Sequence, residues 1–272
     1  MKRKRSGLRL LLVLALLFGA ALADSNLRLV TTEYEIVCKD LPTAFAGFRI
    51  VQLSDVHGAV FGKDNARLLS AVCAAKPDLI ALTGDLADKN TELSMVEPLL
   101  RALSEIAPTY YVSGNHEWAD KLVDVIRPML ERCGVRYLRN EHVRLERDGE
   151  SIVLLGVEDP YGPADMPKPD QVAGAAPKGV RVMLAHRNDF MEKYPDLDVD
   201  LLLCGHAHGG VWRVPGVGGL LDHKHKLFPK NTEGVFDCGR MRVVVSRGLG
   251  NSGRVPRLCN NPELVVVELK AM

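Results

Sequence analysis

The chain has 272 residues, 47% of them hydrophobic and 25% charged, with a formal net charge of +1. That length suits one large domain or two small ones, and the composition is that of an ordinary globular protein. The near-neutral charge and the 6% aromatic content exclude a bulk electrostatic or base-stacking surface for nucleic acid.

The N-terminus stands apart. Lys2-Arg3-Lys4-Arg5 is basic, and Leu8 to Ala23 is apolar except for Arg9. A basic cluster, an apolar run and then Ala21-Leu22-Ala23 as small-x-small is the order of a secretory signal. The same run, though shorter than the roughly 20 residues of a spanning helix, also suits an uncleaved anchor. Residues 1–23 are therefore expected to be a signal peptide or an N-terminal membrane anchor. Both put residues 24–272 on the far side of the membrane from the basic cluster, in the periplasm or cell envelope. Arg3 and Arg5 are not adjacent, so a paired-arginine export signal fits poorly.

Leu27 to Val37 alternates and reads as a first strand or hairpin arm. Phe48 to Leu53 is a short apolar strand ending in Ser54-Asp55-Val56-His57-Gly58. Asp and His two apart in an extended segment point the same way, so both can grip one metal ion. Asn65 to Ala75 has helical spacing at Leu68, Leu69, Val72 and Cys73. Leu79 to Thr83 reads as a buried strand ending in Gly84-Asp85. A helix from Met95 to Ile106 leads to the strand Tyr110-Tyr111-Val112 and the turn Ser113-Gly114-Asn115-His116-Glu117. This rhythm predicts parallel strands with three mouths on one edge, where sites in open α/β sheets form.

Leu122 to Arg132 reads as a further helix. Val143–Glu146 and Ser151–Gly156 are two strands of a hairpin turning at Arg147-Asp148-Gly149-Glu150. Residues 157–178, rich in Pro, Gly and Ala, read as a long loop over the site. Val180–Leu184 is a strand ending in Ala185-His186. Val199–Cys204 is another, ending in Gly205-His206-Ala207-His208-Gly209-Gly210, where the two histidines repeat the spacing of Asp55 and His57. The cluster His223-Lys224-His225-Lys226 is either a contact for an anionic substrate or a solvated basic loop. Met241–Ser246 and Leu264–Leu269 complete the strands. None of the six cysteines has CxxC spacing, which argues against a thiolate zinc site. Cys73 and Cys204 lie in apolar runs and read as buried thiols; Cys238 and Cys259 can pair in an oxidising compartment.

Collected, the strand-end residues are Asp55, His57, Asp85, Asn115, His116, His186, His206 and His208. Carboxylates, an amide oxygen and several imidazoles suit two borderline transition-metal ions better than calcium or magnesium. Two such ions can share a bridging ligand and activate a water between them.

Asp55-x-His57, Gly84-Asp85, Gly114-Asn115-His116-Glu117, His186 and Gly205-His206-Ala207-His208 resemble, in order, the five signature blocks of the calcineurin-like metallophosphoesterases. Leu227-Phe228-Pro229-Lys230, Val245 to Ser252 and Asn260-Asn261-Pro262-Glu263 resemble its bacterial, membrane-associated phosphodiesterase branch. The resemblance implies that residues 24–272 form a metallophosphoesterase domain. It implies an α/β fold of two mixed β-sheets packed face to face with flanking helices, a four-layer sandwich. It also implies roles. Asp55, His57 and His208 would hold one ion, Asn115, His186 and His206 the other, and Asp85 would bridge. His116 would protonate the leaving oxygen or steady the transition state. The cofactors would be two divalent ions of manganese, zinc or iron. Two departures, Arg187-Asn188-Asp189 after His186 and Val211 after Gly210, bear on substrate choice rather than on the chemistry.

The leading expectation is thus a metal-dependent phosphoesterase, acting on a phosphodiester outside the cytoplasm or at a membrane surface. A narrower alternative is a pyrophosphatase for a lipid-linked nucleotide-diphosphate sugar. Such a substrate is made at the cytoplasmic face, against an exported body. A third reading is a non-catalytic scaffold of the same fold, against which the complete ligand set and His116 both count.

Overall fold

The computed structural model describes residues 2–221, 226–253 and 255–272. The chain opens with α1 (Lys2–Leu27), of which Arg9–Leu27 is long and apolar enough to cross a membrane by length and composition. Strands β1 (Val30–Cys38) and β2 (Arg49–Leu53) follow. Next come α2 (Ala66–Ala74), β3 (Leu79–Thr83), α3 (Val96–Ile106) and β4 (Thr109–Val112). After them are α4 (Asn115–Ala119), α5 (Val123–Arg132), β5 (Arg136–Tyr137), β6 (Glu141–Arg147) and β7 (Glu150–Gly156). Then α6 (Pro169–Ala175), β8 (Arg181–Arg187), α7 (Phe190–Lys193) and β9 (Leu201–Gly205) lead to the short pair β10 (Arg213–Val214) and β11 (Gly218–Gly219). Strands β12 (Gly234–Cys238), β13 (Met241–Val245) and β14 (Glu263–Ala271) close the chain.

Two six-stranded sheets result, in the orders β1-β14-β2-β3-β4-β5 and β12-β13-β9-β8-β7-β6. Both are mixed. β2, β3, β4 and β5 run parallel, with β14 antiparallel to β2. In the second sheet β7, β8, β9 and β13 run parallel, with β6 and β12 antiparallel at the edges. All five residues of β3 are buried, as a strand covered on both faces requires. Its side chains alternate between two cores. Leu79 and Ala81 join Ile50, Val265, Leu154, Val182 and Leu203 between the sheets. Ile80 and Leu82 face the helices with Leu68, Leu100 and Leu103. A third core lies outside the second sheet, where Leu155, Met183 and Leu202 meet Val172 and Phe190. The layers are therefore helix, sheet, sheet, helix, the four-layer sandwich expected.

Local chemistry accounts for the elements. Val96, Leu99, Leu100 and Leu103 form the buried stripe of α3 at helical spacing. The β6–β7 turn is Asp148-Gly149, with φ of 50° and 80°, the pair of positive φ values a two-residue hairpin needs. Three expectations change. Residues 157–178 are not all loop, because α6 lies inside them. Its Pro169 sits in the first turn, where a missing N–H costs nothing, and the Lys168 N–H donates to Gln171 Oε1 at 2.8 Å. Cys73 is exposed on α2 while Val72 beside it is buried, so only Cys204 of that pair is a core thiol. All six cysteines are free; the Cys238 thiol donates to the Met191 carbonyl, while the Cys259 N–H donates to Ser25.

Candidate metal centre

The carboxyl ends of β2, β3 and β4 carry Asp55, Asp85 and Asn115, and the facing ends of β8 and β9 carry His186, His206 and His208. Where the two sheets meet, these residues converge. Asp55, His57, Asp85 and His208 offer ligand atoms within 4.8 Å of one another, and so do Asp85, His186 and His206. Asp85 belongs to both groups. His186 Nε2 lies 3.2 Å from Asp85 Oδ2 and 3.1 Å from Asn115 Oδ1, which brings Asn115 to the second group. His57 Nε2 is 3.6 Å from Asp85 Oδ2, and His208 Nε2 is 3.4 Å from Asp55 Oδ1. The rings of His57 and His208 stack with centroids 5.1 Å apart.

The convergence does not come from strand alternation. Asp55, His57, Asp85, His206 and His208 have φ of 50°, 46°, 52°, 67° and 48°. The chain leaves β2, β3 and β9 through left-handed turn residues, and these turns aim the side chains that follow. Non-glycine residues rarely adopt this region, and strain of this kind gathers at ligand sites. Close packing holds the turns. A Cβ on Gly114 would lie 2.2 Å from Asp85 Oδ1, and one on Gly205 would lie 1.9 Å from Ser54 Oγ. The His206 N–H donates to both Asp55 oxygens at 3.1 Å, tying the second sheet to the first.

The electrostatics fit cations. Neither ring nitrogen of His57 nor Nδ1 of His208 makes a hydrogen bond, although all three are buried. Orphaned imidazole nitrogens beside carboxylates are a donor set for divalent transition metals. Burial, the largest single effect, would raise the Asp85 carboxyl, but the imidazoles of His186, His57 and His116 together hold it far below the usual range. Burial would likewise lower His186, yet the carboxylates of Asp85, Asp55 and Asp159, Asp85 foremost, together lift it to about 10. Burial dominates at His208, which falls to about 3.

His116 lies outside these two groups and forms a third with His57 and Asp88, whose ligand atoms also lie within 4.8 Å of one another. Its N–H donates to Asp85 Oδ1 at 2.9 Å, and its partly exposed ring meets His57 edge-on at 5.0 Å. His116 Nδ1 lies 3.6 Å from Asp120. Three supporting residues have no role that the sequence alone assigns, although Glu117 and Asn260 lie in the quoted motifs. Glu117, fully buried, accepts the N–H groups of Asp85, Ala87 and Gly114. Burial and the Asp85 charge push its carboxyl up to about 7. Asp88 Oδ2 lies 3.4 Å from His57 Nδ1, and Asn260 Nδ2 donates to the His208 carbonyl at 2.7 Å. Glu117 ends the Gly-Asn-His-Glu turn and Asp88 follows Asp85 by three residues, which is the signal that was available. Arg187, one of the departures, is buried and committed to Asp159 by two hydrogen bonds at 2.7 and 3.1 Å. Of the basic cluster, His223, Lys224 and His225 lie outside the described residues.

Residues 48–210 match the calcineurin-like phosphoesterase family. The chain belongs to it. This metallophosphoesterase is 30% identical over 251 residues to the uncharacterized metallophosphoesterase YkuE of Bacillus subtilis, a match covering 89% of the chain and 85% of the relative. It is 32% identical over 235 residues to the phosphodiesterase YaeI of Escherichia coli, covering 82% and 83%. Among solved structures, the Thermus thermophilus sulfate thiohydrolase SoxB shares the fold, with a TM-score of 0.51 at 14% identity. That match covers 85% of the chain and 58% of SoxB. Phosphoester hydrolysis at divalent metal is the family's chemistry, and the Asp–His cluster is the metallophosphoesterase's candidate for the metal.

Proposed function

We propose that the chain hydrolyses phosphodiesters at a centre of two divalent metal ions. The observation that carries this reading is the sharing of Asp85 by two adjacent ligand groups. Asp55, His57 and His208 serve one ion, Asn115, His186 and His206 the other, and Asp85 serves both. Bound there, two cations supply charge for the phosphoryl oxygens and an acidified water as nucleophile. The protein's part is positioning, which carries much of the work in phosphoryl transfer. Left-handed turns at five of the ligands fix their directions before substrate arrives. His116 donates a proton to the departing alkoxide, its ring being partly open to solvent at the margin of the cluster.

Likeness to YaeI, a named phosphodiesterase, supports a diester substrate. The apolar helix Arg9–Leu27 and the basic residues before it support a domain, residues 24–272, held outside the cytoplasm. The test is hydrolysis of bis(p-nitrophenyl) phosphate and p-nitrophenyl phosphate by chelated protein reloaded with manganese, zinc or iron. Faster diester turnover in at least one metal is expected. Preference for the monoester in every metal overturns the diester assignment. Failure on both substrates with metal bound overturns the enzyme.

A further inference from the structure

Two features lie outside the candidate metal ligands: the clasped end of α1 and an exposed apolar rim near the metal centre. α1 does not run into a flexible linker. Only Arg28 and Leu29 separate it from β1. Ser25 is buried, and its hydroxyl accepts the Cys259 N–H at 2.8 Å. The Asn26 side chain pairs with the Arg257 backbone in both directions, donating to its carbonyl at 2.9 Å and accepting its N–H at 3.0 Å. Asn261 Nδ2 donates to the Asp24 carbonyl at 2.7 Å. The helix end is thus held by a segment over 230 residues away in sequence, and the domain cannot swing freely about it.

Strand register decides which edge of the sheet the helix meets. Val30 pairs with Glu263, and Gln52 pairs with Val265. Asp55 follows Gln52 by three residues, so it lies at the same edge as Val30. Only β14 stands between β1 and β2, a lateral separation of about 10 Å. Val37 is at the other end of β1, about 23 Å along the strand. The helix and the metal centre therefore share one edge.

The rim is built from three segments knitted by backbone and Trp212 side-chain hydrogen bonds. The Arg213 N–H donates to the Leu258 carbonyl at 2.9 Å, and Trp212 Nε1 donates to the Pro256 carbonyl at 2.9 Å. The Phe228 N–H donates to the Leu220 carbonyl at 3.0 Å. These segments expose Val214, Val217, Leu227, Phe228 and Val255, with Val217 67% and Phe228 56% exposed. Residues 255–261 touch everything at once. They carry Val255, they clasp α1, and through Asn260 they hold the His208 carbonyl.

We propose that α1 is retained as a membrane anchor and that this rim rests in the surface of the lipid bilayer beside it. The 19 residues Arg9–Leu27 rise about 28 Å as a helix, close to the roughly 30 Å of a hydrocarbon core. The clasped end, Asp24 to Leu27, then lies at the interface. Whatever is bound rigidly to that end lies at the same depth. Aliphatic and aromatic side chains gathered there gain by leaving water, and the exposed Lys226 and Lys230 flank Leu227 and Phe228 as interfacial cations do. The contact sets the metal centre near the layer of lipid headgroups. It does not depend on the hydrolytic reading, because a membrane contact forms whether or not the site turns over.

The test uses the full chain in vesicles of phosphatidylethanolamine and phosphatidylglycerol. A photo-crosslinking benzoylphenylalanine is placed, one position at a time, at Leu17, Phe228, Val217 and Val37. Lipid adducts at Leu17 and at Phe228 or Val217, at least ten-fold above Val37, are the expected result. Adducts at Leu17 alone, or at none of the four positions, overturn the proposal. So does recovery from cells of a mature protein that begins at Asp24.

Discussion

The Glu117 carboxylate accepts the backbone N–H of Asp85 at 3.0 Å, joining the mouth of β4 to the mouth of β3. The same carboxylate accepts Gly114 at 2.8 Å and Ala87 at 3.2 Å. A side chain with no place in the ligand set therefore fixes the residue that the two groups share. Glu117→Ala leaves three buried N–H groups without partners. Each such loss costs about 1–3 kcal/mol, so a fall in stability of about 3 kcal/mol or more is expected. Urea unfolding of the metal-free variant measures it. A change below about 1 kcal/mol would show that the turn is held by other contacts.

If His186 holds a metal ion as proposed, proton binding there competes with the metal. The His186 imidazole is lifted to about 10 because the nearby carboxylates, led by Asp85, together outweigh burial, and in the unfolded chain it returns to the ordinary histidine range near 6.5. A raised histidine contributes stability that is full below the unfolded value and is lost as pH rises through the folded value. In the metal-free protein that loss falls between about 6.5 and 10. Metal must displace this proton, so apparent affinity should climb across that interval instead of levelling near pH 7. Calorimetry in two buffers of different ionisation enthalpy reads the proton released. No release at pH 8 would contradict the pairing.

His116 offers the clearest separation of chemistry from structure. Its ring lies outside the two groups that share Asp85, though within reach of His57 and Asp88, and general acid help contributes about 10²–10⁴-fold. His116→Ala should keep its metals and lose far more rate on alkyl esters than on nitrophenyl esters, whose leaving groups need no proton. Loss of metal, or an equal loss on both esters, would reject the donor role.

Much of the fold is legible because each element is locally consistent. The buried run Leu79–Thr83, the stripe on α3 and the Asp148-Gly149 turn need no distant partner to be read. The position of β14 between β1 and β2 depends on pairing across the whole chain, and no local pattern encodes it. The helix Pro169–Ala175 hid behind its proline. At the candidate site the residue types and spacings were legible, but their geometry was not. Asp55 and His57 look like neighbours on one face of a strand, whereas both have left-handed backbone in a turn against which Gly205, Gly248 and Gly250 pack closely. Glu117 and Asp88 reach the candidate ligands through backbone and ring contacts that exist only once the strand mouths have met.

The dinuclear centre is the central claim, and metal content tests it most directly. Protein freed of chelator and reloaded should hold close to two equivalents of divalent metal by elemental analysis. Asp85→Asn should weaken both sites together, because it removes the carboxylate common to the two ligand groups. A wild-type protein with one equivalent and full activity, or an Asp85→Asn variant that keeps both ions at wild-type affinity, would contradict the account.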